Sequence, residues 1–295
     1  MHIRHLRHFV VLAETLHFGQ AAKRLHMSQP PLSRQILTLE ETLGFDLFQR
    51  NSRAVSLTPA GAAFYQQAKR LLDEFDFAVR SSQAIARGER GELRIGFTMC
   101  AAWSILPELL ASFGEAFPDV AVTLHETLPK DLHGALLSGD VDVGISFPVP
   151  DEPRMHYQPL FQEPLCAVLP ADHRLAQQPA LRTADLADEA FITFPASTAP
   201  ELHEAVMTCC QHSGFQPRIH LQTNLQQTIV NLVARGLGVS LVPESMRRMQ
   251  LEGALFLSLD TSPMVEQGMF WNEHNQNPCL QPFLTTARSR YPQPD

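Results

Sequence analysis

The sequence is poor in the features that mark secreted, membrane-spanning or metal-clustered proteins. Its five cysteines are an odd number and form no Cys-x-x-Cys pair, which argues against a disulfide framework and a zinc cluster. No segment approaches the roughly 18 apolar residues needed to cross a membrane, and the first residues carry no apolar signal core before a small-residue cleavage site. We therefore expect a cytoplasmic protein with no membrane partner.

Motifs of the common enzyme classes are missing as well. The chain has no Gly-x-Ser-x-Gly nucleophile turn, no P-loop and no Gly-x-Gly-x-x-Gly after a predicted strand. Among its thirteen histidines, His2, His5 and His8 are spaced three apart at the start of a predicted helix, which favours a solvated face over a metal site. We expect no enzyme activity, no bound metal and no cofactor.

Charge is distributed unevenly along the chain. The net charge is −8, yet residues 1–58 carry seven Lys and Arg against four acidic residues (+3), whereas the remainder carries 16 against 27 (−11). With 295 residues, 44% of them hydrophobic and 18% charged, the composition is that of two or three globular domains. A basic segment on an acidic body indicates a DNA-binding domain joined to a domain that need not touch DNA.

The basic segment contains three helical patterns in succession. Apolar residues at helical spacing predict a helix that opens near Leu6 and a second from Gly19 to His26, with Met27 as the turn. The third pattern covers 28–40, where Ser28 is a suitable N-cap and Pro30 lies in the first turn, where its missing N–H costs nothing. This arrangement is typical of a helix-turn-helix.

The third helix has the features of a helix that reads DNA. Its apolar residues recur at i, i+4 and i+7, which leaves Gln29, Ser33 and Arg34 outward near the N-terminal end. In helix-turn-helix proteins this end reaches base edges in the major groove. Arg can pair bidentately with guanine and Gln with adenine, and the helix N-terminus favours phosphate.

A winged extension is predicted after this helix. Phe45–Phe48 and Ala54–Thr58 have the pattern of two short strands around a loop that carries Arg50 and Arg53. Attached to the helix pair, the two arginines indicate contact with the DNA backbone in a neighbouring groove. The alternative is a surface loop with two solvated arginines.

A long helix without interior proline is predicted over 59–88. An a/d seam spaced 4, 3, 4, 3, 4, 3 runs along it. Its members are Phe64, Ala68, Leu71, Phe75, Ala78, Ser82 and Ile85. We expect Phe64, Leu71, Phe75, Ala78 and Ile85 to form a dimer interface, because two recognition helices on one axis read two half-sites. The alternative is a helix that packs on its own domain.

The C-terminal two hundred residues alternate strand and helix patterns, which predicts a parallel α/β sheet in two lobes with a cleft between them. We place the first lobe at about 92–161 and 266–295 and the second at about 164–264. Side chains at the carboxyl ends of strands or the starts of helices would line the cleft. These are Thr98, Met99, Cys100, Phe147, Phe194, Pro195 and Asn224.

Residues 4–64 closely resemble the DNA-binding domain of LysR-type regulators. The similarity is carried by stretches such as Gln20-Ala21-Ala22, Leu25-His26-Met27-Ser28-Gln29-Pro30, Leu32-Ser33-Arg34-Gln35-Ile36 and Leu57-Thr58-Pro59-Ala60-Gly61. The resemblance implies DNA contact at or near Ser28, Gln29, Pro30, Ser33, Arg34, Arg50 and Arg53. Gly19 departs from the family, which often has a Ser or Thr helix cap there.

The rest of the chain is similar to the effector-binding domain of the same family, whose fold is shared with periplasmic solute-binding proteins. Matching stretches include Leu93-Arg94-Ile95-Gly96-Phe97, Gly139-Asp140-Val141-Asp142-Val143-Gly144 and Ala234-Arg235-Gly236-Leu237-Gly238. The resemblance is strongest to the branch that senses aromatic acids and their catabolites. It implies a homodimer or homotetramer on a partly palindromic operator, with an aromatic or organic acid in the cleft. Met99, Cys100, Leu128 and Pro129 make this cleft more apolar than is usual in the family.

The sequence therefore predicts a regulator made of a winged helix-turn-helix (1–58), a linker helix (59–88) and an effector-binding domain (89–295). Two alternatives remain open. A solute-binding protein would have no use for residues 1–88. A redox-responsive regulator would need a well-placed cysteine pair, and the adjacent Cys209 and Cys210 are the only neighbouring candidates.

Overall fold

The structure is a computed structural model that describes residues 2–50, 55–148 and 153–292. The chain divides into two units, 1–84 and 85–295. The elements of the first unit are α1 (Ile3–Thr15), α2 (Phe18–Arg24), α3 (Gln29–Leu43), β1 (Phe48–Arg50), β2 (Val55–Leu57) and α4 (Pro59–Ala86). The three helices and the strand pair confirm the predicted winged helix-turn-helix, and Gly44 ends α3 in the left-handed conformation that suits glycine.

The capping of α2 and α3 differs from the prediction. His17, not Gly19, caps α2, since its imidazole nitrogen accepts the backbone N–H of Gln20 at 3.2 Å. Ser28 occupies the N-cap position of α3 with an extended backbone, but its side chain makes no capping hydrogen bond. The Ser28 hydroxyl therefore does not cap the helix, and the side chain is exposed to solvent.

The base of the wing is fastened to α3 through a buried carboxylate. Glu40 Oε1 accepts the backbone N–H groups of Leu47 at 2.9 Å and Phe48 at 3.1 Å. The first wing strand begins at Phe48 and not at Phe45, because the preceding segment is held by these bonds and by the Thr58 hydroxyl, which donates to the carbonyl of Asp46 at 2.7 Å.

Helix α4 starts in close contact with the wing base. The Thr58 hydroxyl accepts the N–H of Gly61 at 2.8 Å. A Cβ atom on Gly61 would stand 2.0 Å from the carbonyl oxygen of Leu47, so only glycine fits. Helix and wing therefore meet backbone to backbone.

The predicted seam on α4 is divided between two environments. Ala68 and Leu72 are buried in the core of their own unit, and the half-buried Phe64 packs against that core, so only part of its side chain is left for a partner. Further along, Leu71 and Phe75 are 50% and 43% exposed. Ala78, Ser82 and Ile85 are exposed too. The second half of the seam is an apolar face on a helix surface.

The second unit begins with parallel strands. Its first lobe contains β3 (Gly91–Phe97), α5 (Met99–Trp103), α6 (Leu106–Ala116), β4 (Val120–Glu126), α7 (Pro129–Ser138), β5 (Val143–Ser146) and α10 (Leu280–Arg290). Strand β3 pairs in parallel with β4 on one side and β5 on the other. Sequence patterning predicts one helix from Trp103 to Phe117, but the chain breaks at Ser104 into α5 and α6.

Two long antiparallel strands connect the lobes. They are β6 (Met155–Pro170) and β11 (Met264–Asn272). With β9 (Ser240–Pro243) and β10 (Ala254–Ser258) from the second lobe, the strand order is β10-β6-β11-β5-β3-β4, and β9 pairs with the second half of β6. The sheet is therefore mixed and not parallel throughout. The second lobe adds β7 (Ala190–Thr193), α8 (Pro200–His212), β8 (Arg218–Gln222), α9 (Gln226–Ala234), β9 (Ser240–Pro243) and β10 (Ala254–Ser258).

A buried polar network lies on the connecting strands. The Glu163 carboxylate on β6 accepts the amide of Gln267 on β11 at 2.7 Å and both the backbone N–H and the hydroxyl of Ser245, at 2.5 and 3.0 Å. Gln267 Oε1 in turn lies 3.2 Å from the hydroxyl of Ser104 at the end of α5. Burial raises the pKa of Glu163 despite these donors. The network joins both lobes at the crossing.

Candidate DNA-reading helix and effector cavity

The N-cap and the first two turns of α3 present five of the seven residues that the sequence analysis assigns to DNA. Ser28, Gln29, Pro30 and Arg34 are exposed and Ser33 is half-buried. The opposite face of α3 buries Leu32, Ile36 and Leu39, with no exposed area at any of the three. Arg50 lies in β1, and Arg53 lies outside the described residues.

Helix α1 is tied to both α3 and α4. The imidazole of His8 is hydrogen-bonded to the amide of Gln35 on α3, and burial lowers the pKa of His8. Arg7 forms an ion pair with Asp76 on α4 at 2.5 Å. The helix that carries the outward Gln29 and Arg34 is thus positioned by a packed core and by polar contacts, as a DNA-reading helix needs.

A cavity of about 400 Å³ lies between the two lobes of the second unit. Its walls are formed by Thr98, Met99, Cys100, Glu126, Thr127, Leu128, Pro129, Phe147, Phe194, Thr198, Ala199, Asn224, Leu225, Gln226 and Gln227. The volume and the mixture of aromatic, aliphatic and few polar side chains are those of a small-molecule site.

Four helices begin at this cavity. The lining includes residues at or next to the first position of α5, α7, α8 and α9. The first N–H groups of a helix have no partner within the helix, and the helix dipole makes this end positive. Convergence of these four helix starts supplies backbone donors and positive potential without a cationic side chain, which suits an anionic group.

The polar side chains of the cavity are hydroxyls, amides and one carboxyl group. Thr98 is 4% exposed, and its hydroxyl oxygen is buried without a hydrogen-bond partner among the described residues. The Thr198 hydroxyl donates to Asn224 Oδ1 at 2.8 Å, and the Cys100 thiol donates to Gln226 Oε1 at 2.8 Å. Within the described lining, Glu126 is the one acidic residue and no basic residue is present, and Glu126 is exposed. A ligand that accepts a hydrogen bond would give the Thr98 hydroxyl a partner.

Six of the seven side chains expected in the cleft line the cavity together. These are Thr98, Met99, Cys100, Phe147, Phe194 and Asn224. Pro195 is not part of the lining, and its carbonyl accepts the N–H of Thr198 in a turn that positions Thr198. The sequence analysis missed Glu126, Thr127, Thr198, Ala199, Leu225, Gln226 and Gln227 as lining residues. Only their position in the sequence could have identified them, because each lies near the end of a strand or the start of a helix.

The adjacent cysteines are in an environment that suppresses thiol chemistry. Cys209 and Cys210 are 4% and 0% exposed. Burial raises the pKa of Cys209 and raises that of Cys210 to about 12. Since the thiolate is the reactive form, neither thiol is prepared for exchange or oxidation.

The fold and the two sites define a DNA-binding regulator with a ligand-binding domain. A family described as the bacterial regulatory helix-turn-helix protein, lysR family, matches residues 3–62, and the LysR substrate binding domain matches residues 86–292. The chain belongs to the LysR family of DNA-binding transcription regulators.

Known relatives agree along almost the whole chain. The HTH-type transcriptional regulator CatR of Pseudomonas putida is 40% identical over 259 residues, which cover 88% of each protein. The crystal structure of CbnR, a LysR family transcriptional regulator, superposes with a TM-score of 0.85 at 30% identity and covers 98% of this chain and 100% of CbnR. Full-length CbnR complexed with its target DNA has a TM-score of 0.78 at 29% identity and covers 98% and 99%. Among the described helices, none is long and apolar enough to pass through a bilayer.

Proposed function

We propose that this regulator reads a partly palindromic operator with the first two turns of α3 and is controlled by an organic acid bound in the cavity between its lobes. Ser28, Gln29, Pro30, Ser33 and Arg34 would contact the major groove, with Arg50 and Arg53 on the adjacent backbone. The functional segments would be the winged helix-turn-helix (1–58), the linker helix (59–88) and the effector domain (89–295). Such a protein works beside DNA in the cytoplasm and catalyses no reaction.

The convergence of helix starts on one cavity carries the effector proposal. Backbone N–H groups at the starts of α5 and α9 and the unpartnered hydroxyl of Thr98 favour a carboxylate. Phe147 and Phe194 are apolar neighbours for a ring or chain. The resemblance of the sequence to the branch that senses aromatic acids favours an aromatic acid over an amino acid.

An oligomer would connect the two functions. The exposed second half of the α4 seam offers an apolar face to a second copy, and two copies would place two recognition helices on two half-sites. We propose a homodimer that pairs again into a homotetramer. Effector binding would shift the population between two arrangements of the same assembly.

The test is a thermal-shift panel on the full chain. The panel contains aromatic acids, aliphatic diacids, amino acids and phenols. A ligand at 100 times its dissociation constant adds about 2.7 kcal/mol to the free energy of unfolding, and we expect this rise with at least one acid. Thr98→Val keeps the shape of the side chain, removes the hydroxyl and should weaken binding. If no acid stabilises the protein while it still binds a specific operator, the cavity is not an acid-sensing site.

A further inference from the structure

Two amide side chains in the cavity have their carbonyl oxygens occupied by neighbours. Cys100 Sγ lies 2.8 Å from Gln226 Oε1, and Thr198 Oγ1 lies 2.8 Å from Asn224 Oδ1. A carboxamide has one acceptor oxygen and, on its other side, an NH₂ group with two donors. With one lone pair of the oxygen engaged, each amide offers a ligand two donors and only one remaining acceptor position.

In both bonds the neighbour donates to the amide oxygen. A thiol is a weak donor and a weak acceptor, and its sulfur accepts a hydrogen bond from an amide NH₂ group more weakly than an oxygen atom does. Burial raises the pKa of Cys100, so the proton stays on sulfur and points to the amide oxygen. Thr198 is 3% exposed, and Asn224 Oδ1 is the acceptor within its reach. One acceptor position on each amide oxygen is therefore engaged within the cavity wall itself.

One of the two bonds also crosses the cleft. Cys100 lies on α5 of the first lobe and Gln226 at the start of α9 in the second. Cys100 Sγ further contacts Met246 Sδ of the second lobe at 3.9 Å. The Gln226 amide is thus oriented only when the two lobes are as close as they are in this structure. Thr198 and Asn224 both belong to the second lobe, so their bond needs no closure.

We infer that Cys100 and Thr198 are positioning residues that set the hydrogen-bonding polarity of the cavity, so that it takes a carboxylate in preference to the carboxamide of the same shape. The inference rests on the proposed function and deepens it. It assigns the preference for an acid to Cys100 and Thr198, which orient the amides of Gln226 and Asn224. A carboxylate accepts on both oxygens, whereas a carboxamide must place its own NH₂ group against a donor-rich wall. Two donors that meet without an acceptor cost binding free energy.

The test compares acid and amide pairs on the full-length protein. The probes are benzoate against benzamide and hexanedioate against hexanediamide, and the measured quantity is the ratio of their dissociation constants. Cys100→Ala and Thr198→Val delete the donors, whereas Cys100→Ser and Thr198→Ser keep a hydroxyl donor. We expect each deletion to reduce the preference for the acid about tenfold, the usual effect of one hydrogen bond to a charged group, and each serine variant to restore it.

The possible outcomes separate this inference from the proposed function. A preference that falls in the deletion variants and returns in the serine variants supports the inference, whereas equal loss of acid and amide binding would indicate damaged packing and overturn it. If wild type binds an acid and the deletions leave the ratio unchanged, the inference fails alone. If wild type binds neither member of either pair and no acid of the thermal-shift panel, the acid-sensing function fails and the inference with it. Melting temperatures without probe show which variants fold.

Discussion

The carboxylate of Glu40, in the last turn of the recognition helix, accepts the backbone N–H of Leu47 at 2.9 Å. The same oxygen accepts the N–H of Phe48, and Glu40 is 7% exposed. Glu40→Ala would leave two buried donors unsatisfied, so we expect the free energy of unfolding to fall by about 1–3 kcal/mol for each. Urea unfolding followed by circular dichroism measures the loss. Glu40→Gln retains an acceptor oxygen and is the control, which should lose less than half as much.

Arg34 should contribute directly to operator binding. It is exposed on the first turns of α3, where an arginine can pair with a guanine edge. Arg34→Ala should cost about 1–3 kcal/mol of specific binding free energy and relax the preference at one base pair. Fluorescence anisotropy on a duplex selected from random DNA measures both effects. Arg235→Ala removes the same charge from an exposed position of the effector domain and should leave affinity unchanged. Wild-type affinity and pattern in Arg34→Ala would show that α3 is not the reading helix.

The exposed half of the α4 seam should hold two chains together. Leu71→Asp combined with Phe75→Asp places two charges on this face, which a paired helix would have to bury at a high energetic cost. We expect the molar mass measured by light scattering to fall toward that of one chain. Phe77 is 62% exposed on the same helix but off the seam, so Phe77→Asp is the matched control. Loss of assembly in the control as well would move the interface away from the seam.

Glu163 should give the protein a specific pH dependence. Burial raises its pKa above the ordinary value of 4.5, so the folded state holds this proton more strongly than the unfolded state does. The sign follows from linkage: between the unfolded and the folded pKa, stability falls as pH rises, and above the folded pKa it levels off. Glu163→Gln cannot titrate. We expect the difference in unfolding free energy, wild type minus variant, to decrease as pH rises from about 4.5, and a difference independent of pH would contradict this assignment.

The five cysteines should be inert in the folded protein. All five are buried, and burial raises the pKa of Cys210 to about 12. A thiol with a raised pKa has little thiolate at neutral pH and reacts slowly. Mass spectrometry after brief exposure to iodoacetamide should find no more than trace labelling in the native protein and five labels after unfolding in urea. Rapid native labelling of Cys209 or Cys210, accompanied by a change in operator affinity, would revive the redox alternative.

Local patterns in the sequence predicted most of the first unit, and the exceptions come from tertiary contacts. Gly19 looked like the cap of α2 because glycine is tolerated there, but the imidazole of His17 reaches the Gln20 N–H first. The seam on α4 read as one continuous stripe. Phe64 packs on its own domain, whereas Leu71 is exposed. A 3.5-residue spacing alone does not show which half of a helix lies against its own domain.

Local sequence predicts a strand at Val265–Trp271, which corresponds to β11, but only Leu165–Leu169 of the longer β6. Strand β6 contains Pro159 and Pro164, and proline usually marks the end of a strand. Here Pro159 lies beside the register shift between Gln267 and Gly268 of β11, where a ladder hydrogen bond is dispensable. The cavity was easier to predict at strand ends such as Thr98 and Phe147. Gln226 was missed because its role depends on Cys100, which is 126 residues away.

Gly61 and the Leu47 carbonyl leave no room for a hinge between the winged domain and α4. The winged helix-turn-helix and the start of α4 therefore move as one rigid body. In a paired assembly, the angle between two winged domains would be fixed by how two α4 helices cross. One inserted base pair rotates a half-site by about 35° around the DNA axis, since a turn holds about 10.5 base pairs. Operator spacing would then be constrained as strictly as operator sequence.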